Sequence, residues 1–296
     1  MTAIEDAIEN QGHRVVHFEG DDTLPSALKK NPVDMVFNRV TGLRGLSKQS
    51  YVPSVLDLMN IPYTGSGVLA HALALNKSAT KQILGYIGVP TPQFQVFRDP
   101  DERPSSRLRY PLIVKPLLGG SSVGIFKDSV VRSRKELRLA VDRVLNSFDQ
   151  PALVEEYIYG RELTVGILGN REPAIMPILE TESDVELEEP TFTHGAKIKE
   201  GYVTKKTRVA QLSKRRFEAI RRESIKVFKA LRCRDYARVD IILSEDGTPY
   251  VFEANSMPGL YKEYSAFPEM ARAAGMSYRD LITKILNLAI ERYKAP

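Results

Sequence analysis

The sequence predicts a mixed α/β fold, α+β in its detail, and three observations carry that prediction. The N-terminal third alternates apolar runs with helical segments, "RVVHF", "TLPSALKK", "VDMVFN", "YVPSVLDLMN" and "IPYTGS". That β-α-β-α-β rhythm points to a small parallel sheet. Residues 237 to 259, "ARVDIILSEDGTPYVFEANSMPG", hold two β-branched and aromatic runs on either side of Asp246-Gly247, a dipeptide that favours a tight hairpin turn. The segment "LSKRRFEAIRRESIKVFKALRCR" sets Phe217, Ile220, Ser224, Phe228 and Leu231 on one stripe at helical spacing, with Arg215, Arg222, Lys226 and Lys229 mostly elsewhere.

The elements between these landmarks follow in order. "MTAIEDAIENQGHRVV" reads as an amphipathic helix rather than a signal peptide. "GVLAHALALNKSATKQILGYIGVPTP" gives two helices, the second ending near Gly85 to Gly88 ahead of Pro90. Strands "QFQVF" and "PLIVKP" come next, then the glycine loop "LLGGSSVG", a further strand and helix, and "ALVEEYIYGRELTVGILGN". "ETESDVELEEPTFTHGAKIKEGYVTKKTRVAQ" has little periodicity and many charges, which suits a lid loop or disorder. "AFPEMARAAGMSYRDLITKILNLAIERY" closes the chain as one short and one long helix.

Composition narrows the class. The 296 residues are 27% charged and 43% hydrophobic, ordinary for a globular protein. No apolar run approaches the ~20 residues needed to cross a bilayer, so we expect no membrane partner and a cytoplasmic location. The one cysteine, Cys233, can form no internal disulfide. A net charge of +5 admits nucleic acid, but the basic helix lacks interleaved aromatics, and anionic small molecules explain the excess as well. We therefore expect no nucleic-acid partner.

The hairpin carries the chemistry. With Asp246-Gly247 as a two-residue loop, counting outward sets Asp240 opposite Glu253 and Arg238 opposite Asn255, and the period of two puts all four on one face. Facing carboxylates repel unless something offsets them. A hard dication does so with oxygen ligands, which makes Asp240, Glu253 and Asn255 candidate ligands of Mg²⁺ and Arg238 a cation for an anionic substrate. A solvated sheet rim or salt bridges within the hairpin would also account for the pattern.

Other constellations are weaker alone. A buried-looking strand ends in Lys115, and the loop Gly119 to Gly124 with Ser121 offers backbone and hydroxyl donors to a phosphate, or is a plain glycine hairpin. Glu155, Glu156 and Glu162 flank the hinge "YIYG", where backbone groups suit a purine and a carboxylate suits ribose, or are surface charge. Lys77 and Lys115 could converge on one polyphosphate. Of the four histidines, His13, His17 and His71 suit ordinary surface or packing roles, and His194 sits in the lid segment.

Taken together, "IPYTGSGVLAHALALNKSATKQIL", "LIVKPLLGGSSVGI", "VEEYIYGRELTVGILGN", "ARVDIIL" and "FEANSMPG", in this order, resemble the ATP-grasp superfamily and within it the D-alanine-D-alanine ligase family, from about Val33 to the C-terminus. The resemblance implies an ATP-grasp fold: an N-terminal α/β domain over 1–76, a central subdomain with the glycine loop over 77–165, and a C-terminal subdomain over 166–296 with its lid at 181–212. It implies phosphate contacts from Lys77 and Lys115, adenine at the hinge positions Glu155, Glu156 and Ile158, and ribose on Glu162. Ser121 would help hold substrate, Lys197 would reach the γ-phosphate, and Arg238 would stabilise the transferred phosphoryl. Asp240, Glu253 and Asn255 would hold Mg²⁺, with Mn²⁺ able to substitute, and Gly259, Ser265 and His194 would line the second substrate's site. The implied activity is ATP-dependent carboxylate-amine ligation through an acyl phosphate, with amino acids as substrates, in peptidoglycan synthesis, and the family allows a homodimer.

Departures accompany the resemblance. The family pattern opens with a strand, a glycine-rich turn and a glutamate for the first substrate's amine, and the likeness begins after that point. Thr41-Gly42 stands where His-Gly is usual, Gly119 replaces an acidic residue, "HGAKI" at 194–198 replaces Tyr-Glu-Ala-Lys-Tyr, and one extra residue separates Asn255 from Ser265. Most lie on the substrate side. A ligase for another amino acid, or a catalytically silent nucleotide-binding relative, fits the same motifs.

Overall fold

A computed structural model of the protein describes residues 2–42, 47–118, 126–181, 197–199, 202–204 and 206–294, with the backbone alone for residues 2, 127, 197–199 and 202–204. Two antiparallel sheets form its frame. The first has strands β1 (Phe94–Phe97), β2 (Leu112–Pro116), β3 (Val130–Val131) and β4 (Ala152–Glu156) in the order β1-β4-β2-β3. The second has β5 (Gly160–Leu168), β6 (Ala174–Ile175), β7 (Leu179–Thr181), β10 (Thr207–Val209), β11 (Tyr236–Ser244) and β12 (Pro249–Asn255), in the order β10-β7-β5-β11-β12 with β6 on β5. Between β7 and β10 runs a separate hairpin, β8 (Lys197–Lys199) with β9 (Tyr202–Thr204).

Alternation in β4 decides which way the first sheet faces. Ala152 and Val154 enter the core under helix α6 (Arg134–Phe148) together with Phe97, Leu112 and Val114. Leu153 and Glu155 point to the opposite face. Helix α6 begins at Ser133, whose hydroxyl accepts from the Glu136 N–H while Glu136 accepts from the Arg132 N–H, a reciprocal capping arrangement. The second sheet packs against α7 (Lys214–Ala230), which buries Ile220, Ser224 and Phe228 of the expected stripe together with Val227, while Phe217 is only partly buried.

The expected parallel sheet of the N-terminal third is corrected. Helices α1 (Thr2–Glu9), α2 (Leu24–Lys30), α3 (Tyr51–Leu58) and α4 (Val68–Leu75) form. Of the expected strands, however, only one parallel bridge, Val36 to Tyr63, exists among the described residues. Residues 13–20 and 33–40 line a cavity of about 1040 Å³. A strand needs a hydrogen-bonded neighbour along its length. Residues 33–40 find one only at Val36, whose N–H bonds to the Pro62 carbonyl and whose carbonyl accepts from the Thr64 N–H, and among the described residues no bridge forms along 13–20. Helix α1 packs through Ile4 and Ala7 into the cluster formed by α8 (Ala266–Ala273) and α9 (Tyr278–Lys294), the short and long closing helices.

Two elements lie across the expected divisions. The division at 165/166 falls inside β5, which pairs along its whole length with β11, so the change of sheet lies at residues 157–159. Helix α5 (Lys77–Tyr86), expected with the central subdomain, buries Leu84 in the core of the second sheet beside α7. The expected lid is tied at its base, because Thr181 pairs with Thr207. No described helix is long and apolar enough to cross a membrane.

Candidate functional site

The hairpin of β11 and β12 brings Arg238 opposite Asn255 and Asp240 opposite Glu253, as the alternation predicts. The expected two-residue turn is corrected. Leu243 pairs with Pro249 and the Ser244 N–H bonds to the Thr248 carbonyl at 3.1 Å, so the loop is Glu245 to Gly247, and a bulge between Asp240 and Ile241 restores the register. Gly247 adopts φ +88°, and Asp246 Oδ1 accepts from the Thr248 N–H at 2.9 Å, which makes the longer loop self-supporting. The extra residue, Phe252, turns its ring beneath Lys115, with the lysine nitrogen 5.7 Å from the ring centre.

Strand β5 extends this face. Its register sets Glu162 beside Ile242 and Thr164 beside Asp240, so Glu162, Thr164, Arg238, Asp240, Glu253 and Asn255 share one side of the sheet. Asp240, 5% exposed, accepts from the Thr164 hydroxyl at 3.0 Å, from the Arg238 guanidinium at 2.8 Å and from the Asn255 amide at 3.0 Å. Two carboxylates and one amide are a hard-oxygen donor set suited to Mg²⁺, which keeps waters and phosphate oxygens in its remaining positions. Asn255 would have to present its amide oxygen rather than the nitrogen now facing Asp240. Among the described residues no group of three or more His, Cys, Asp or Glu side chains offers a metal site.

Across from this face lies a knot of buried amines. Asn76 caps α5, its Oδ1 accepting from the Ala79 N–H at 3.1 Å, and so fixes Lys77 at the helix's first position and Lys81 one turn later. Lys77 Nζ reaches the Pro116 carbonyl at 3.5 Å. In the first sheet, Glu155 sits between Phe94 and Ile113, and Lys115 lies two residues further along on the same face. The Glu155 carboxylate makes two ion pairs: Oε1 lies 2.7 Å from Lys81 Nζ and Oε2 lies 2.5 Å from Lys115 Nζ. Lys81 also donates to the Thr91 hydroxyl at 2.7 Å.

Electrostatics sharpen the picture. Lys77, Lys81 and Lys115 are 9%, 2% and 5% exposed, and Glu155 is 2% exposed. Burial pulls Lys77 below the usual lysine value, and it pulls Lys81 down to about 8 despite the attraction of Glu155. Burial would raise Glu155, but Lys115 and Lys81 outweigh it and hold the carboxyl low and ionised. Lys81 and Lys115 thus share one carboxylate, while Lys77 is drawn first to Glu253 and less to Glu155. Lysine is the wrong charge for a helix N-terminus, so Lys77 adds to a deficit of negative charge there.

The other expected positions are distributed as follows. Glu156 faces away from Glu155 and accepts from the Arg109 N–H at 3.0 Å. Ile158 lies half-buried in the connector between the two sheets, where Tyr157 and Tyr159 meet edge to face. Gly259 and Ser265 are in contact, and Ser265 Oγ accepts from the Tyr261 N–H at 3.1 Å. Lys197 begins β8, opposite Thr204; its side chain, like Ser121 and His194, lies outside the described residues.

Three groups escaped the sequence reading. Lys81 and Thr164 touch Glu155 and Asp240 directly. His71, expected only to pack, is 1% exposed, shares a 2.7 Å hydrogen bond with Ser256 beside Asn255, and is held neutral by burial with its pKa lowered to about 4.

Comparisons with known proteins identify the family. Residues 83–287 match a family model described as D-ala D-ala ligase C-terminus. A D-alanine-D-alanine ligase of Carboxydothermus hydrogenoformans is 36% identical, over 98% of this chain and 92% of that protein. An uncharacterised protein of Sinorhizobium fredii, y4sG, is 39% identical, over 97% of this chain and 86% of that protein. The crystal structure of D-alanine-D-alanine ligase from Bacillus anthracis complexed with ATP superposes with a TM-score of 0.79 at 26% identity, covering 99% of this chain and 91% of that one.

Proposed function

The chain belongs to the D-alanine-D-alanine ligase family, and from that premise we propose that it is an ATP-dependent ligase joining the carboxylate of one amino acid to the amine of another. The observation that carries this reading is the charge arrangement between the two sheets. Buried Lys77, Lys81 and Lys115, the last two paired with Glu155, face a strand pair whose side chains supply oxygen donors. A nucleotide polyphosphate supplies the negative charge that the first side lacks and the oxygens that a cation on the second side needs.

In the proposed reaction a substrate carboxylate oxygen attacks the γ-phosphorus, and the bond to the β–γ bridging oxygen breaks, giving an acyl phosphate and ADP. The amine of the second substrate attacks the acyl carbon. The C–O bond to phosphate breaks, and loss of a proton leaves the amide. Lys77 and Lys115 hold the phosphates, and Arg238, fixed by Asp240, stabilises charge on the oxygens in flight. Asp240, Glu253 and Asn255 would hold Mg²⁺, which neutralises phosphate oxygens when bound. Glu162 takes the ribose, while the connector around Ile158 takes adenine. Gly259 and Ser265 receive the carboxylate of the second amino acid. D-alanine is the first candidate for both substrates.

The test is ADP and phosphate release with magnesium and ATP, first with D-alanine and then with a panel of D- and L-amino acids. Release stimulated by one amino acid or a pair supports the ligase. Tight ATP binding with no stimulation by any amino acid overturns it.

A further inference from the structure

Glu155 presents a puzzle that the phosphate contacts alone do not explain. A carboxylate pressed against Lys115 in a dry site cancels the charge that a phosphate would need, yet the structure buries the two side by side at 2.5 Å. The resolution lies on the other oxygen. Lys81, wholly inside the protein, stands 2.7 Å from Glu155 Oε1 and is anchored by its hydrogen bond to Thr91 and by the face of Phe94, 5.7 Å away. It lies too deep to be an obvious ligand contact. Its place on α5 follows from Lys77, four residues earlier on the same helix face.

We propose that Lys81 is a positioning residue of the nucleotide site: it neutralises Glu155, so that the carboxylate orients Lys115 without cancelling it and Lys115 keeps its charge for the phosphates. The assignment rests on the nucleotide reading given above. The two lysines divide the carboxylate between them, one oxygen each, and only Lys115 lies on the strand that leads to the glycine loop. Glu155 therefore serves as a spacer that holds two amines apart and aims one of them. The depressed pKa of Lys81, about 8, agrees with an amine kept charged chiefly by its partner.

A charge-rescue experiment separates this role from simple packing. Binding of ATP with magnesium is measured by titration calorimetry for the wild type, Lys81→Met, Glu155→Gln and the double variant. Lys81→Met leaves Glu155 to cancel Lys115 and is expected to weaken binding at least tenfold. Adding Glu155→Gln removes the charge that Lys81 had to answer, and the double variant is expected to regain most of that loss. A Lys81→Met protein that binds as the wild type does, or a double variant no better than Lys81→Met, overturns the assignment. A wild type that takes up no nucleotide overturns the reading beneath it, and the assignment falls with it. Should Lys81→Met fold poorly, Thr91→Val unfastens the same amine without emptying its site. A two- to threefold loss restored by Glu155→Gln then supports the role, and an unchanged affinity overturns it.

Discussion

Asp240 and Glu253 stand directly opposite one another on β11 and β12, and their surroundings are unequal. Two carboxylates about 5 Å apart repel by roughly 3 kcal/mol at an effective dielectric near 20. Asp240 is answered by Arg238, Thr164 and Asn255. The charge of Glu253 acts on Lys77 and Arg238. One carboxylate is built into the hairpin, and the other faces the site.

That inequality separates stability from activity. Glu253→Gln removes the repulsion and keeps the shape, so urea unfolding should show stability unchanged or raised, while ATP-dependent product formation falls by about 100-fold or more. Asp240→Asn should cost both. It leaves Arg238 without its counter-charge, a loss of about 2 kcal/mol, less than for a wholly buried pair because the Arg238 side chain is 27% exposed.

A second prediction concerns the joint between the chain's ends. Asp235, with no exposure, accepts from Arg292 at 2.9 Å and from the Gly65 N–H at 2.7 Å, and Arg292 also donates to the Tyr63 carbonyl. Helix α9 is thereby pinned to the segment after α3. Asp235 has φ +63°, a backbone that Asn tolerates, so Asp235→Asn tests the charge alone. We expect a loss of about 3 kcal/mol in urea unfolding, with little change in the KM for ATP among molecules that remain folded.

How far the sequence discloses all this depends on the range of each interaction. The pairing of Asp240 with Glu253 is readable by counting outward from Asp246-Gly247, but the count holds only because a bulge cancels the one-residue shift that the turn introduces. The turn itself is not, since Asp246-Gly247 specifies a bend but not the bulge at Phe252 that compensates for it. The runs "RVVHF" and "VDMVFN" are readable as apolar and extended, but a ladder requires a neighbour that local sequence does not name. Lys81 shows the same limit. Its spacing from Lys77 is visible, while its partner Glu155 comes from another sheet, and a lysine read alone is a solvated one.

Acid should loosen the base of the segment between β7 and β10. Glu180 of β7 is held by Arg161, 2.6 Å away, and by Arg208 of β10. Hydrogen bonds from Arg161 lead in holding its pKa below the ordinary 4.5, against burial, which raises it. A carboxylate with a depressed folded-state pKa contributes its stabilisation in full above 4.5 and loses it as pH falls below that value through the folded pKa. Amide exchange at Leu179–Thr181 and Thr207–Val209 should therefore quicken below about pH 4.5. In Glu180→Gln it should be faster at neutral pH and respond less to acid.

The contact of Gly259 with Ser265 offers a test confined to the second substrate. A Cβ on Gly259 would come 2.8 Å from Ser265 Oγ, so in Gly259→Ala that hydroxyl must turn away. In turning it releases the hydrogen bond from the Tyr261 N–H, a loss of about 1 kcal/mol, which also moves the group proposed to receive the substrate carboxylate. One such interaction is about fivefold in affinity. Steady-state kinetics should show the KM for the acceptor amino acid rising about five- to tenfold, with the KM for ATP unchanged because the amine knot and the hairpin face are untouched. A rise in both constants, or in neither, would remove Gly259 and Ser265 from the acceptor site.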